Sequence, residues 1–253
     1  MTANTSFLSL CFFLAAAGPC TELSSFDRDP DTAEKPLVPG SVAEARRADD
    51  LPAPMSQQTK TTGKYMREHA TEAWSVRKAI ISGHLNDAAL VGSRIASDPW
   101  TSNLRTDYRA HVTLVRAAAH SVQSAATLPA AATALGELGS ACAGCHKEFG
   151  GPPAPTPPNA PASADPMLAH AAAELALWQG LTFPSDEAWL RGARALSDAP
   201  ELDSDVEQVS ATARRIRELA KDALASKETR ASVYGKVVST CASCHARVGV
   251  ELP

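Results

Sequence analysis

Two copies of one pentapeptide, Cys142-Ala-Gly-Cys145-His146 and Cys241-Ala-Ser-Cys244-His245, stand 99 residues apart and hold four of the six cysteines. C-x-x-C-H is the pattern of covalent c-type haem attachment. Two thiols add to the two vinyl groups of the porphyrin, and the adjacent imidazole is held under the iron as proximal axial ligand. On a helix the offsets i, i+3 and i+4 put all three side chains on one face. The chain must therefore build, twice over, a helix that presents two thiols and an imidazole to a bulky planar group. The expected cofactors are two haem c groups, attached at Cys142, Cys145, Cys241 and Cys244, with His146 and His245 as proximal iron ligands. Two alternatives stand beside this reading, since C-x-x-C also makes zinc half-sites and redox dithiols. A dithiol expects a βαβ context that this helical sequence lacks, and zinc gives no reason for a histidine after both second cysteines.

Sliding the chain on itself extends the repeat beyond the motifs. Met66 and His69 lie over Met167 and His170, offset by 101. Leu90-Val-Gly92-Ser-Arg94 lies over Leu190-Arg-Gly192-Ala-Arg194, and Ser97-Asp98 over Ser197-Asp198, offset by 100. Small changes of offset between blocks are what loop insertions produce, so the blocks read as helices. Residues 150–165, rich in Gly and Pro, cannot continue a helix and read as a semi-stiff linker.

Start and stop signals then divide each half into four helices. The first half is expected to hold helices at 56–82, 86–97 and 101–126, with a fourth opened by Pro129 and carrying the motif. The second half is expected to repeat this at 167–181, 186–197 after a Ser185 cap, 201–226 and 228–247. The fold class expected is all-α, as two tandem four-helix bundles in up-down-up-down order over residues 55–149 and 166–253. Abundant alanine with only 5% aromatic residues fits helices, but supplies little large apolar surface. A haem in each bundle would fill much of that core, so the haem-free chain is expected to fold poorly.

Phe7 to Ala17 form an apolar run followed by small residues, which reads as a signal peptide or lipoprotein signal over residues 1–20, with 21–54 a disordered tether. Export to the periplasm follows from this, with Cys20 the position where a lipid would tether the chain to a membrane. No structural disulfide is implied, and the net charge of −4 carries no nucleic-acid footprint.

Four helices with C-x-x-C-H near the end of the fourth resemble the class II c-type cytochromes, the cytochrome c′ and cytochrome c-556 type. The resemblance spans both halves; Phe149 matches the aromatic that follows the family's motif, whereas Gly150 and Val248-Gly249 depart from it. It implies that the first helix of each bundle faces the distal side of the iron, with a ligating methionine in the c-556 type and an open position in cytochrome c′. The distal candidates are Met66 and His69 in the first half and Met167 and His170 in the second. They sit at i and i+3 on one helical face, and histidine, the stronger ligand, is preferred. A bis-histidine site would have a low potential, a His/Met site a higher one.

The function expected is that of an exported electron-transfer protein, not an enzyme, passing single electrons between periplasmic or membrane-associated redox partner proteins. The rival readings are a five-coordinate site that captures NO or CO, and a dihaem peroxidase, for which no placed acid–base group stands out. His84, His111 and His120 read as bland, the last two on opposite faces of one helix. The tryptophans read as core or haem-packing residues, and Glu72 and Glu174 as solvated.

Overall fold

Each helix begins or ends where the local sequence provides for its orphan backbone groups. In the computed structural model, which describes residues 54–98, 106–155, 166–199, 207–225 and 230–249, the chain is all-α. The helices are α1 (Pro54–Ile81), α2 (Leu85–Ser97), α3 (Arg109–Gln123), α4 (Leu128–Phe149), α5 (Pro166–Thr182), α6 (Asp186–Ser197), α7 (Glu207–Ala225) and α8 (Arg230–Val248). A single 3₁₀ turn, Thr106–Tyr108, leads into α3. The signal at 1–20, nearly all of the tether and most of the linker lie outside the described residues. No helix among those described is long and apolar enough to cross a membrane.

Thr127 caps α4 by accepting from the Ala130 N–H at 3.3 Å, with Pro129 in the first turn. Ser185 does the same for α6 through the Ala188 N–H at 3.2 Å. Gly83, at φ 82°, takes the left-handed conformation that ends α1. The third helix is shorter than the expected 101–126: it starts at Arg109 and stops at Gln123. Thr127 must be extended to cap α4, at φ −143° and ψ 155°, so the chain leaves helical geometry a few residues earlier.

Within each half, consecutive helices pack side by side, α1 on α2 on α3 on α4 and α5 on α6 on α7 on α8. The halves meet through α4 against α8, α4 against α5 and α1 against α8. One apolar cluster runs through both, taking Val76 and Ile80 from α1, Leu135 and Leu138 from α4, Leu177 and Leu181 from α5, and Val233 and Val237 from α8. Helix α5 is buried on almost every side from Ala173 to Thr182, as expected of a helix enclosed by its neighbours.

Main chain touches main chain where α4 crosses α8. Gly136 sits against the carbonyl of Ala231, and a Cβ on Gly235 would stand 3.0 Å from the carbonyl of Ala132. The two contacts are copies of each other at the motif's own offset of 99 residues. Because 136 meets 231 while 132 meets 235, the helices are antiparallel. Glycine is needed at both points because it alone lets the backbones approach this closely.

Substituting Gly136 by alanine is expected to cost about 1–3 kcal/mol through overpacking against the Ala231 carbonyl. Gly235→Ala, with more room, should cost less. Thermal unfolding followed by far-ultraviolet circular dichroism checks the order, at about 2–4 °C per kcal/mol for a chain this size.

Candidate functional site

A cavity of about 390 Å³ opens beside the first motif, within the range of small-molecule and cofactor sites. Cys142, Cys145 and His146 all face it, because i, i+3 and i+4 share one face of α4. Met66, His69 and Ala73 of α1 line the wall. Helix α3 adds His111 and Val112, and the far side is closed by Trp178, Thr182 and Phe183 at the end of α5. The first site is therefore built by both halves of the chain.

His146 is clamped by groups that lie far from it in sequence. Its Nδ1–H donates to the carbonyl of Thr182 at 2.8 Å, and since a carbonyl only accepts, Nε2 is left as the free nitrogen. The Phe183 ring stacks on the imidazole at 5.3 Å between centroids, 22° from parallel. The Gly151 backbone packs so closely that a Cβ there would lie 2.5 Å from His146 Cγ. Burial, and then neighbouring Cys145, push the Cys142 thiol up to about 12; burial followed by Glu148 raises Cys145. All four motif cysteines are free thiols.

On the opposite wall the two candidate ligands differ. Met66 packs in a small apolar cluster with Val112, Tyr65 and Tyr108. His69 has Nδ1 3.5 Å from Glu72 Oε2 and Nε2 3.7 Å from Asp98 Oδ2, so both of its nitrogens face carboxylates. Burial outweighs the Asp98 and Glu68 charges and lowers its pKa. His111, expected to be bland, lines the cavity and bonds Glu148 Oε2 through Nε2 at 2.7 Å. His120 is exposed.

The second motif repeats the inter-half arrangement with different partners. His245 is buried, and its lowered pKa comes from desolvation partly offset by the Ile81 main chain at the end of α1. Nδ1 of His245 has no partner at hydrogen-bonding distance. Gly83 abuts Ala246, with room for a Cβ only at 3.0 Å from the Ala246 methyl. Burial, and then Glu174, push Cys241 up to about 12, and burial raises Cys244. His170 keeps a buried Nε2 with no hydrogen-bond partner, and desolvation followed by the Arg217 charge lowers its pKa. Met167 is 46% exposed.

Glu174 is not solvated as its sequence context suggested. It is 5% exposed, paired with Arg77 through Nε–H to Oε1 at 3.0 Å and through Nη2 to Oε2. The Tyr234 hydroxyl donates to the same Oε1 at 2.6 Å. This cluster joins α1, α5 and α8 beside Cys241. Of the tryptophans, Trp178 and Trp189 are core, whereas Trp74 is 42% exposed under the Arg77 guanidinium, and Trp100 lies outside the described residues. Sequence gave no signal for the inter-half contacts of Thr182 and Phe183, one of which is made by main chain alone.

The chain matches no protein-family model, no curated protein and no solved structure.

Three histidines, His69, His170 and His245, have lowered values in the folded chain, so the unfolded chain binds protons more readily below the ordinary value near 6.5. The stability of the haem-free chain is expected to be fully present above pH 6.5 and to fall as pH drops below it. Glu72, raised chiefly by burial, opposes this trend at lower pH. Urea midpoints at pH 7.5, 6.5 and 5.5 check the direction.

Proposed function

We propose that the protein is an exported dihaem c-type cytochrome of the class II kind, built from two four-helix halves, that carries single electrons between redox partner proteins. The observation that carries this is the first site: two free thiols and an imidazole with its Nε2 unengaged line one cavity of about 390 Å³. The donors fit the group, since a proximal histidine is oriented by a hydrogen bond from its other nitrogen to a carbonyl or carboxylate. Cys142 and Cys145 would hold the first haem covalently and His146 would ligate its iron, with Cys241, Cys244 and His245 in the same roles for the second. The haem supplies one-electron iron chemistry. The chain's own part is to fix His146 through Thr182 and Phe183, and to exclude water with Val112, Phe149 and Trp178.

For the sixth ligand of the first site the geometry favours Met66 over His69, whose nitrogens face Glu72 and Asp98. In the second site it favours His170, which has a buried unpartnered Nε2, over the exposed Met167. Carboxylates beside His69 and a cation beside His170 would make the two irons unequal in potential.

A pyridine haemochrome assay is expected to give two c-type haems per chain, and one after Cys142→Ser with Cys145→Ser; a count of zero in the parent overturns the reading. Met66→Leu is expected to convert one of the two haems to a CO-binding form, while His69→Ala leaves both low-spin. CO binding by both haems of the unaltered protein would favour gas capture instead.

A further inference from the structure

The antiparallel crossing of α4 and α8 sends the two motifs in opposite directions. The contacts of Gly136 with Ala231 and of Gly235 with Ala132 put residue 134 opposite residue 233. Cys142 and Cys241 each lie eight residues beyond that point. At 1.5 Å per residue their levels are roughly 24 Å apart along the helix axis. Tunnelling falls off exponentially with distance, and more steeply across gaps than through bonded and closely packed π-systems.

Between the two levels the core is mostly aliphatic, with Leu135, Leu138, Val237 and Val238. One aromatic pair interrupts it. Trp178 and Tyr234 are buried with ring centroids 5.4 Å apart and planes at 33°. The Trp178 ring lies against Gly139, one turn before Cys142, and walls the first cavity. Tyr234 precedes Cys241 by seven residues, two turns along the same face of α8. The pair thus spans the gap between the motifs.

The bundle does not need these rings for its packing. The repeat puts Leu135 at the register of Tyr234, offset 99, and Arg77 at that of Trp178, offset 101. The first half forms the same four helices without them.

Resting on the two-haem reading, we propose that Trp178 and Tyr234 are the conduit for electron exchange between the two haems. One electron leaves one iron and arrives at the other; neither ring changes oxidation state, and the Tyr234 proton stays in its hydrogen bond to Glu174. The two sites then act as one two-ended carrier, able to accept from a partner at one end and deliver at the other.

The test uses the full holoprotein. One haem is photoreduced by a laser flash and re-equilibration with the other is followed, with both midpoint potentials and thermal stability measured alongside. Tyr234→Leu, which installs the residue the repeat carries at this register, is expected to slow exchange by an order of magnitude or more with potentials little changed. Arg77 still holds Glu174 Oε1 in that variant. Tyr234→Phe, which keeps the ring, should retain the rate. Trp178→Leu provides a second route if Tyr234→Leu does not fold. Unchanged exchange in a leucine variant with both haems attached overturns the conduit. So does a dipolar distance between the two irons far below about 24 Å, since direct contact would need no relay. Absence of haem from the parent sinks the functional reading itself.

Discussion

At the centre of the molecule two main chains touch, Gly136 on the Ala231 carbonyl and Gly235 facing the Ala132 carbonyl. Such contact leaves no space for side chains, so the crossing has a narrow choice of register, and every other contact between the halves follows from it. It carries the end of α5 to His146 and the end of α1 to His245. A crossing shifted by one turn would move Thr182 about 5 Å from the imidazole it now holds. The two contacts are self-complementary copies, as at a twofold interface, here made within one chain.

Against this near-symmetric frame the Arg77–Glu174–Tyr234 cluster has no counterpart in the repeat. Removing one partner from a buried ion pair typically costs about 3–5 kcal/mol, while replacing the whole pair by apolar residues is often neutral. Stability alone is therefore a weak reason to keep it. Its position offers a better one. It ties α1, α5 and α8 together at a single register, and it puts a paired carboxylate beside Cys241 but not beside Cys142.

Much of this was legible in the sequence wherever a signal is local. The i, i+3, i+4 spacing placed both thiols and the imidazole on one face, Thr127 with Pro129 and Ser185 marked helix starts, and the offset blocks fell on helices. The third helix was misjudged in length because nothing in residues 124–126 forbids helix; the need to straighten comes from capping the next one. Glu174 looked like a solvated residue because an acid among alanines carries no sign of the Arg77 that meets it from 97 residues away. The acceptor for His146 was invisible for a deeper reason. A main-chain carbonyl has no identity in sequence, and only the packing of α5 on α4 selects the one at Thr182.

The same distinction bears on what a duplication does. Covalent attachment needs only the local pentapeptide, so both copies keep it intact. The surroundings of each proximal histidine come from the other half, where the copies have diverged: Thr182 accepts from His146, while the Ile81 main chain offsets the burial of His245 less completely. An imidazole that donates to a firm acceptor is the more basic ligand. Carboxylates flank His69 and Arg217 stands by His170, so the opposite faces diverge too. Two sites attached by identical chemistry thus differ in every group that sets a potential, and that difference gives an electron a preferred direction through the molecule.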